Sequence, residues 1–135
     1  MYRDTEKDID QDTSSPGLQG IVIFDLDGTL FRTETATVPA VRQAFQEMGL
    51  PGPDLSQIPC YIGPPVEQYH AWLSAHCPAG QVAGLVARAD ELELAYVDSA
   101  GQLYEGVPET LAEIQRWRVP PPVYSNGDPA YVEQV

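Results

Sequence analysis

Apolar residues change their spacing several times along this chain, and each change predicts a different kind of element. The first nineteen residues, MYRDTEKDIDQDTSSPGLQ, are polar and acidic with few large apolar side chains. Such a stretch has too little to bury and predicts a disordered acidic tail over 1–19. Ile21-Val22-Ile23-Phe24 follows as an unbroken apolar run. It predicts a short buried parallel strand, with Gly28 turning the chain directly after it. Beyond Thr35 the spacing becomes helical. Val41, Ala44, Phe45 and Met48 fall at i, i+3, i+4 and i+7, which predicts a helix opening near Val38-Pro39 and ending at Gly49. Leu50-Pro51-Gly52-Pro53-Asp54 reads as a connection. Gly63-Pro64-Pro65 opens a second helix with Val66, Tyr69, Trp72 and Leu73 on its apolar stripe, and Pro78 closes it. A third helix, over roughly 80–98, carries Val82, Leu85, Val86, Ala89, Leu92 and Tyr96.

The pattern changes again after Gly101. Gly106-Val107-Pro108 opens a helix with Leu111 and Ile114 on its inner face, and Val123-Tyr124-Ser125-Asn126-Gly127 reads as a short strand running into a turn. Pro120-Pro121-Pro122 keeps that strand short or irregular, because proline cannot donate to a ladder. No internal repeat is present. Strand, inserted helices, helix and strand make half of an α/β unit with a helical insertion after its first strand. The predicted organisation is therefore a tail over 1–19, a core built from 20–34 and 101–135, and a helical layer over 35–100.

Composition narrows the partners. The chain has 135 residues, 43% of them apolar, and a net charge of −13 from seven basic and twenty acidic side chains. That length suits one modest domain. Lys7 is the only lysine, and six scattered arginines cannot form a basic stripe, which argues against nucleic acid and against anionic membrane surfaces. No apolar stretch approaches a membrane span, and residues 1–20 contain no signal-peptide core. Two cysteines, Cys60 and Cys77, are too few for a disulfide scaffold, so a reducing cytoplasm is the expected compartment.

Chemistry concentrates in Asp25-Leu26-Asp27-Gly28-Thr29. In parallel α/β folds, ligands bind at the carboxyl ends of strands. Residues two apart on an extended chain share a side, so both carboxylates can face one ligand. One can act as an ionised nucleophile while the other gives and takes a proton. Gly28 lets the backbone turn beside a phosphate, and Thr29 offers a hydroxyl and an amide. A calcium loop would need a further ligand and a glutamate at its twelfth position, where this chain has Ala36. A divalent cation held by carboxylates would also reconcile an acidic protein with an anionic substrate.

On these residues the chain resembles the haloacid dehalogenase superfamily. Asp25-Leu26-Asp27-Gly28-Thr29, flanked by Phe24 and Leu30, is similar to the family's first motif, and Val123-Tyr124-Ser125-Asn126 to its second. Tyr104-Glu105-Gly106-Val107-Pro108-Glu109-Thr110-Leu111 is similar to the usual lead-in to that second strand. The resemblance implies an α/β fold: a partial Rossmann-like core with an inserted α-helical cap, of the phosphoglycolate-phosphatase-like type. It implies catalysis by Asp25 as nucleophile and Asp27 as acid/base, with Gly28, Thr29, Ser125 and Asn126 holding phosphate and Mg2+ bound by Asp25 and Asp27. Dehalogenase members lack an acid at the position of Asp27, so its presence implies phosphoryl transfer. The implied reaction is hydrolysis of a small phosphorylated metabolite, phosphoglycolate-like, through an aspartyl-phosphate.

The family also has a later lysine and an acidic pair, which do not occur in the ten residues after Ser125. The chain therefore reads as a C-terminally truncated member. A two-stranded sheet with open edges and little activity by itself are expected. A sugar phosphomutase of the same family, or an incomplete fragment with a binding role or none, stays open as an alternative.

Other residues admit plainer readings. Cys60, His70, His76 and Cys77 are zinc-ligand types, but adjacent His76 and Cys77 point to different faces of a helix. Arg32 and Glu34 read as exposed residues at the entrance, with attraction of an anionic substrate as the alternative role for Arg32. Tyr69, Trp72 and Tyr96 read as core of the helical layer, and Gly63-Pro64-Pro65 as a helix start or a substrate-facing loop.

Overall fold

The computed structural model describes residues 22–117, 123–124 and 129–135. Residues 1–21 and the second-motif residues Ser125 and Asn126 lie outside the described residues. Strand β1 is Phe24–Asp25 and β2 is Phe31–Arg32. Helix α1, Glu34–Glu47, leads to a 3-10 segment at Leu55–Tyr61, then α2 at Val66–Ser74 and α3 at Val82–Ala100. The chain continues through β3 at Gln102–Leu103, α4 at Val107–Arg116, β4 at Val123–Tyr124 and α5 at Pro129–Gln134.

The strands form two small sheets. β1 and β4 run parallel, with Phe24 opposite Val123 and Asp25 opposite Tyr124. β2 and β3 run antiparallel, pairing Phe31 with Leu103 and Arg32 with Gln102. The second sheet therefore joins the point where the chain enters the helical layer to the point where it leaves. This gives a partial Rossmann-like α/β core with an inserted helical cap.

Two apolar clusters hold the elements. Val41, Phe45, Ile58, Leu73, Leu85 and Leu92 bury one between α1, the 3-10 segment, α2 and α3. Leu26, Leu30, Phe31, Val97, Val107 and Tyr131 bury the other, around the loop after β1 and the ends of α3 and α5. No helix of the described residues is long and apolar enough to cross a membrane.

Several expectations need correction. α1 starts at Glu34 and not near Val38, because Ala36 and Thr37 are buried and their amides bond the Thr33 carbonyl, both at 3.0 Å. Packing thus carries the helix upstream of Pro39, which withholds a single amide donor. Gly49 does end the helix, in the left-handed conformation at φ 65°. Val66 belongs to the α2 stripe by spacing but is 40% exposed, so that helix buries only Tyr69, Trp72 and Leu73. Ile23, expected in a buried strand, is 66% exposed, because β1 pairs only with β4 among the described residues. The 3-10 segment, the β2–β3 pair and α5 carry no periodicity long enough to predict.

Candidate active site

Asp25 ends β1 and Asp27 stands two residues later, with Leu26 buried between them. The loop behind them is a tight knot. The Leu26 carbonyl accepts the amides of Thr29 (3.2 Å), Leu30 (2.9 Å) and Phe31 (3.0 Å), while the Gly28 amide donates to the Phe31 carbonyl at 2.9 Å. Gly28 closes the knot at φ 70°, a conformation costly for residues with a Cβ, and a Cβ there would lie 3.2 Å from Ile62 Cγ2. Ile62 follows the 3-10 segment, so core loop and helical layer touch at this glycine.

Each aspartate has its own partners. The Thr29 hydroxyl donates to Asp25 Oδ2 at 2.9 Å, and Asp25 is otherwise exposed. Asp27 Oδ1 accepts two hydroxyls, from Thr33 at 2.8 Å and from Tyr131 at 2.7 Å. Tyr131 lies on α5, steadied by an edge-on contact with Phe31 at 6.3 Å between ring centroids. Burial, and then its bond to Asp27, raise the pKa of the Tyr131 phenol well above its ordinary value, so it stays a donor. The Thr33 carbonyl in turn accepts the Thr37 hydroxyl at 3.1 Å, and Thr37 also contacts the Glu93 carboxylate on α3. Glu93 is pushed up to about 7, chiefly by burial and further by Asp90 and Asp27, against the opposing Thr37 bond.

A cleft of about 390 Å3 opens over the pair. It is lined by Asp25, Asp27 and Tyr131, by Tyr61, Ile62 and Val66, and by Asp90, Glu93 and Leu94 of α3. Asp25, Asp27, Gly28 and Thr29 are thus gathered on one short loop, with the two aspartates facing the cleft. The place of Ser125 and Asn126 is not described, although β4 brings Tyr124 level with Asp25. Thr33, Thr37, Glu93 and Tyr131 were not singled out by the sequence. Only tertiary packing shows that Thr33 serves Asp27, and a six-residue helix 104 positions downstream gives no local sign of Tyr131's role.

Asp25 and Asp27 offer hard oxygen donors on a partly open loop. That donor set fits Mg2+, which commonly takes one or two carboxylates and completes its shell with water and substrate phosphate. Among the described residues no cluster of three or more His, Cys, Asp or Glu side chains is placed to hold a metal. The zinc-ligand types are drawn to separate partners: His70 Nε2 lies 3.3 Å from Asp90, and His76 Nδ1 lies 2.8 Å from the Trp72 carbonyl. Arg32 is turned to Glu34 at 3.3 Å and over the Tyr104 ring, and does not line the cleft.

The chain is 32% identical over 113 residues to a phosphoglycolate phosphatase of Pectobacterium atrosepticum, covering 81% of this chain and 48% of that protein. Its fold matches a haloacid dehalogenase-like hydrolase from Streptococcus pneumoniae with a TM-score of 0.68 at 24% identity, over 84% of this chain and 52% of the other. It also matches a hydrolase of that family from Deinococcus radiodurans, whose structure contains bound phosphate and sodium. That TM-score is 0.55 at 25% identity, over 84% and 49% of the two chains. The chain thus spans about half the length of these relatives. Residues 22–135, from β1 through α5, match the sequence profile of the haloacid dehalogenase-like hydrolases, and the chain belongs to that family.

Proposed function

We propose that this chain carries the nucleophile and acid/base portion of a phosphomonoesterase acting on a small phosphorylated metabolite. The observation that carries this reading is the division of partners within one pair. Asp25 is exposed to the cleft with a threonine as its one hydrogen-bond donor among the described residues, whereas Asp27 is held on Oδ1 by Thr33 and Tyr131. In the proposed reaction an Asp25 oxygen attacks phosphorus and the bond to the leaving oxygen breaks. Asp27 gives that oxygen its proton. Asp27 then takes a proton from the water that attacks the aspartyl-phosphate, which frees Asp25 and inorganic phosphate. Gly28 and Thr29, with Ser125 and Asn126 from the second motif, would hold phosphoryl oxygens. Mg2+ on Asp25 and Asp27 would offset negative charge on the phosphoryl group.

Residues 35–100 would act as the cap over this site, with 20–34 and 101–135 as the core and 1–19 as a tail. The β2–β3 junction supports that division, as does the cluster around Val41, Phe45, Leu73 and Leu85, whose buried residues all come from 35–100. The phosphoglycolate phosphatase relative supports a small phosphate ester as substrate.

Acetyl phosphate with Mg2+ tests the nucleophile directly, because its acetate leaving group needs no proton. Mass spectrometry of an acid-quenched digest is expected to place one phosphoryl group on Asp25 and none in Asp25→Asn. In Asp27→Asn the adduct is expected to form and to persist, its hydrolysis slowed by roughly 10²–10⁴-fold. No adduct, or labelling that survives Asp25→Asn, rejects the reading.

A further inference from the structure

Beyond the aspartates, the cleft has a lining with a chemistry of its own. Asp90 and Glu93 on α3 face it, Tyr61 and Tyr69 bring aromatic rings to it, and no arginine or lysine lines it among the described residues. Tyr69 is 8% exposed, and its hydroxyl has no hydrogen-bond partner among the described residues. A buried hydroxyl left unpaired is costly, and such a group beside a cleft points to a ligand that completes it. Asp90 and Glu93 lie near enough to raise the Tyr69 pKa, after the larger effect of burial, so all three belong to one local field.

Among the described residues, the other charged groups at the cleft are already paired. Glu91 also borders the cleft but is matched by Arg88 at 3.0 Å, and that arginine is turned to Glu47 at 2.7 Å as well. His70 can become positive, yet its Nε2 is already 3.3 Å from Asp90. A leaving group with a carboxylate would meet Asp90, Glu93 and an unpaired phenol, with no arginine or lysine of the cleft lining among the described residues to receive it. An ammonium would meet the Asp90 carboxylate, a Glu93 carboxyl that a nearby cation favours in its ionised form, a hydroxyl that can accept a hydrogen bond, and aromatic faces that attract cations.

We propose that the cleft selects phosphate monoesters whose leaving group bears a primary ammonium, and selects against those bearing a carboxylate. This rests on the phosphomonoesterase reading of Asp25 and Asp27 and specifies the alcohol released. Tyr69, Asp90 and Glu93 would hold the ammonium while the phosphoryl group sits at Asp25.

Three matched two-carbon esters separate the alternatives: 2-aminoethyl phosphate, 2-hydroxyethyl phosphate and phosphoglycolate. Each is titrated calorimetrically into the full chain with Mg2+. The amino ester is expected to bind tightest, with phosphoglycolate weaker by about tenfold or more. In Glu93→Gln, which keeps the hydrogen bond to Thr37, that ratio is expected to narrow to within about threefold. The ranking on the unaltered chain stands without any variant, so a misfolded variant does not obscure it. Phosphoglycolate or the hydroxy ester binding as tightly as the amino ester overturns the selectivity and leaves the phosphatase reading intact. Failure of all three to bind, together with no labelling of Asp25 by acetyl phosphate, removes both.

Discussion

Thr33 stands at the N-terminus of α1, where a threonine ordinarily caps the helix with its hydroxyl. Here that hydroxyl makes no cap bond and is given to Asp27 instead, so helix and active-site loop are tied at one residue. Glu93, on α3, is linked to Thr33 through Thr37. A glutamate in the unfolded chain titrates near 4.5, and in the fold Glu93 is pushed up to about 7, first by burial. Between those values the folded state keeps a proton that the unfolded state has lost. Stability from this group is therefore full below about 4.5 and is lost as pH rises through about 7. The loss is at most about 3 kcal/mol, and Glu93→Gln removes it. Urea titrations at about pH 5 and about pH 8 should show the unaltered chain losing more stability than the variant over that interval. Equal losses in both chains would reject the assignment.

At the scale of elements, α1 and α3 form the spine of the helical layer. Their packing rests on Val41, Ala44, Phe45, Leu85 and Ala89, all almost fully buried. The fork of Arg88 on Glu47, at 2.7 and 3.0 Å, is surface-exposed and adds orientation more than stability. The chain leaves this layer at Gly101, which is required by close approach. A Cβ there would stand 2.4 Å from the Val97 carbonyl and 2.8 Å from the Phe31 ring. Gly101→Ala is expected to lower stability by roughly 1–3 kcal/mol by pushing β2 and β3 off the end of α3. A urea midpoint equal to that of the unaltered chain would show that the junction yields freely. Helices were legible wherever their apolar stripe ran for three turns or more. The junction strands were not, since two residues show no period and their pairing partner lies some seventy positions away.

For the whole molecule, the same acidity that argued against nucleic acid surrounds a cleft proposed to take phosphate. The excess acid is therefore tolerable only if the site supplies compensation locally, which is the role proposed for Mg2+. The parallel sheet is the weak point. β1 pairs with β4 alone among the described residues, and Ile23, beside that strand, is 66% exposed. An apolar residue next to an unpaired strand edge invites association between copies. Ile23→Lys is expected to reduce concentration-dependent light scattering of the chain, without changing its far-ultraviolet circular dichroism. Scattering unchanged by the substitution would place the association elsewhere.

The sequence by itself determined the family and the loop that carries the aspartate pair, because Asp25 through Thr29 are contiguous and their pattern is local. It also determined the helical layer, because burial against one side imposes a helical period that survives in the order of residues. What surrounds the aspartates was decided only by tertiary structure. Tyr131 reaches Asp27 across 104 positions, Thr33 gives up its cap, and Tyr69 is at once buried and unpartnered beside the cleft. None of these leaves a periodic trace. Each depends on where a hydroxyl or a carboxylate points once distant elements have packed, and that direction is set by the packing and not by the neighbours in the chain.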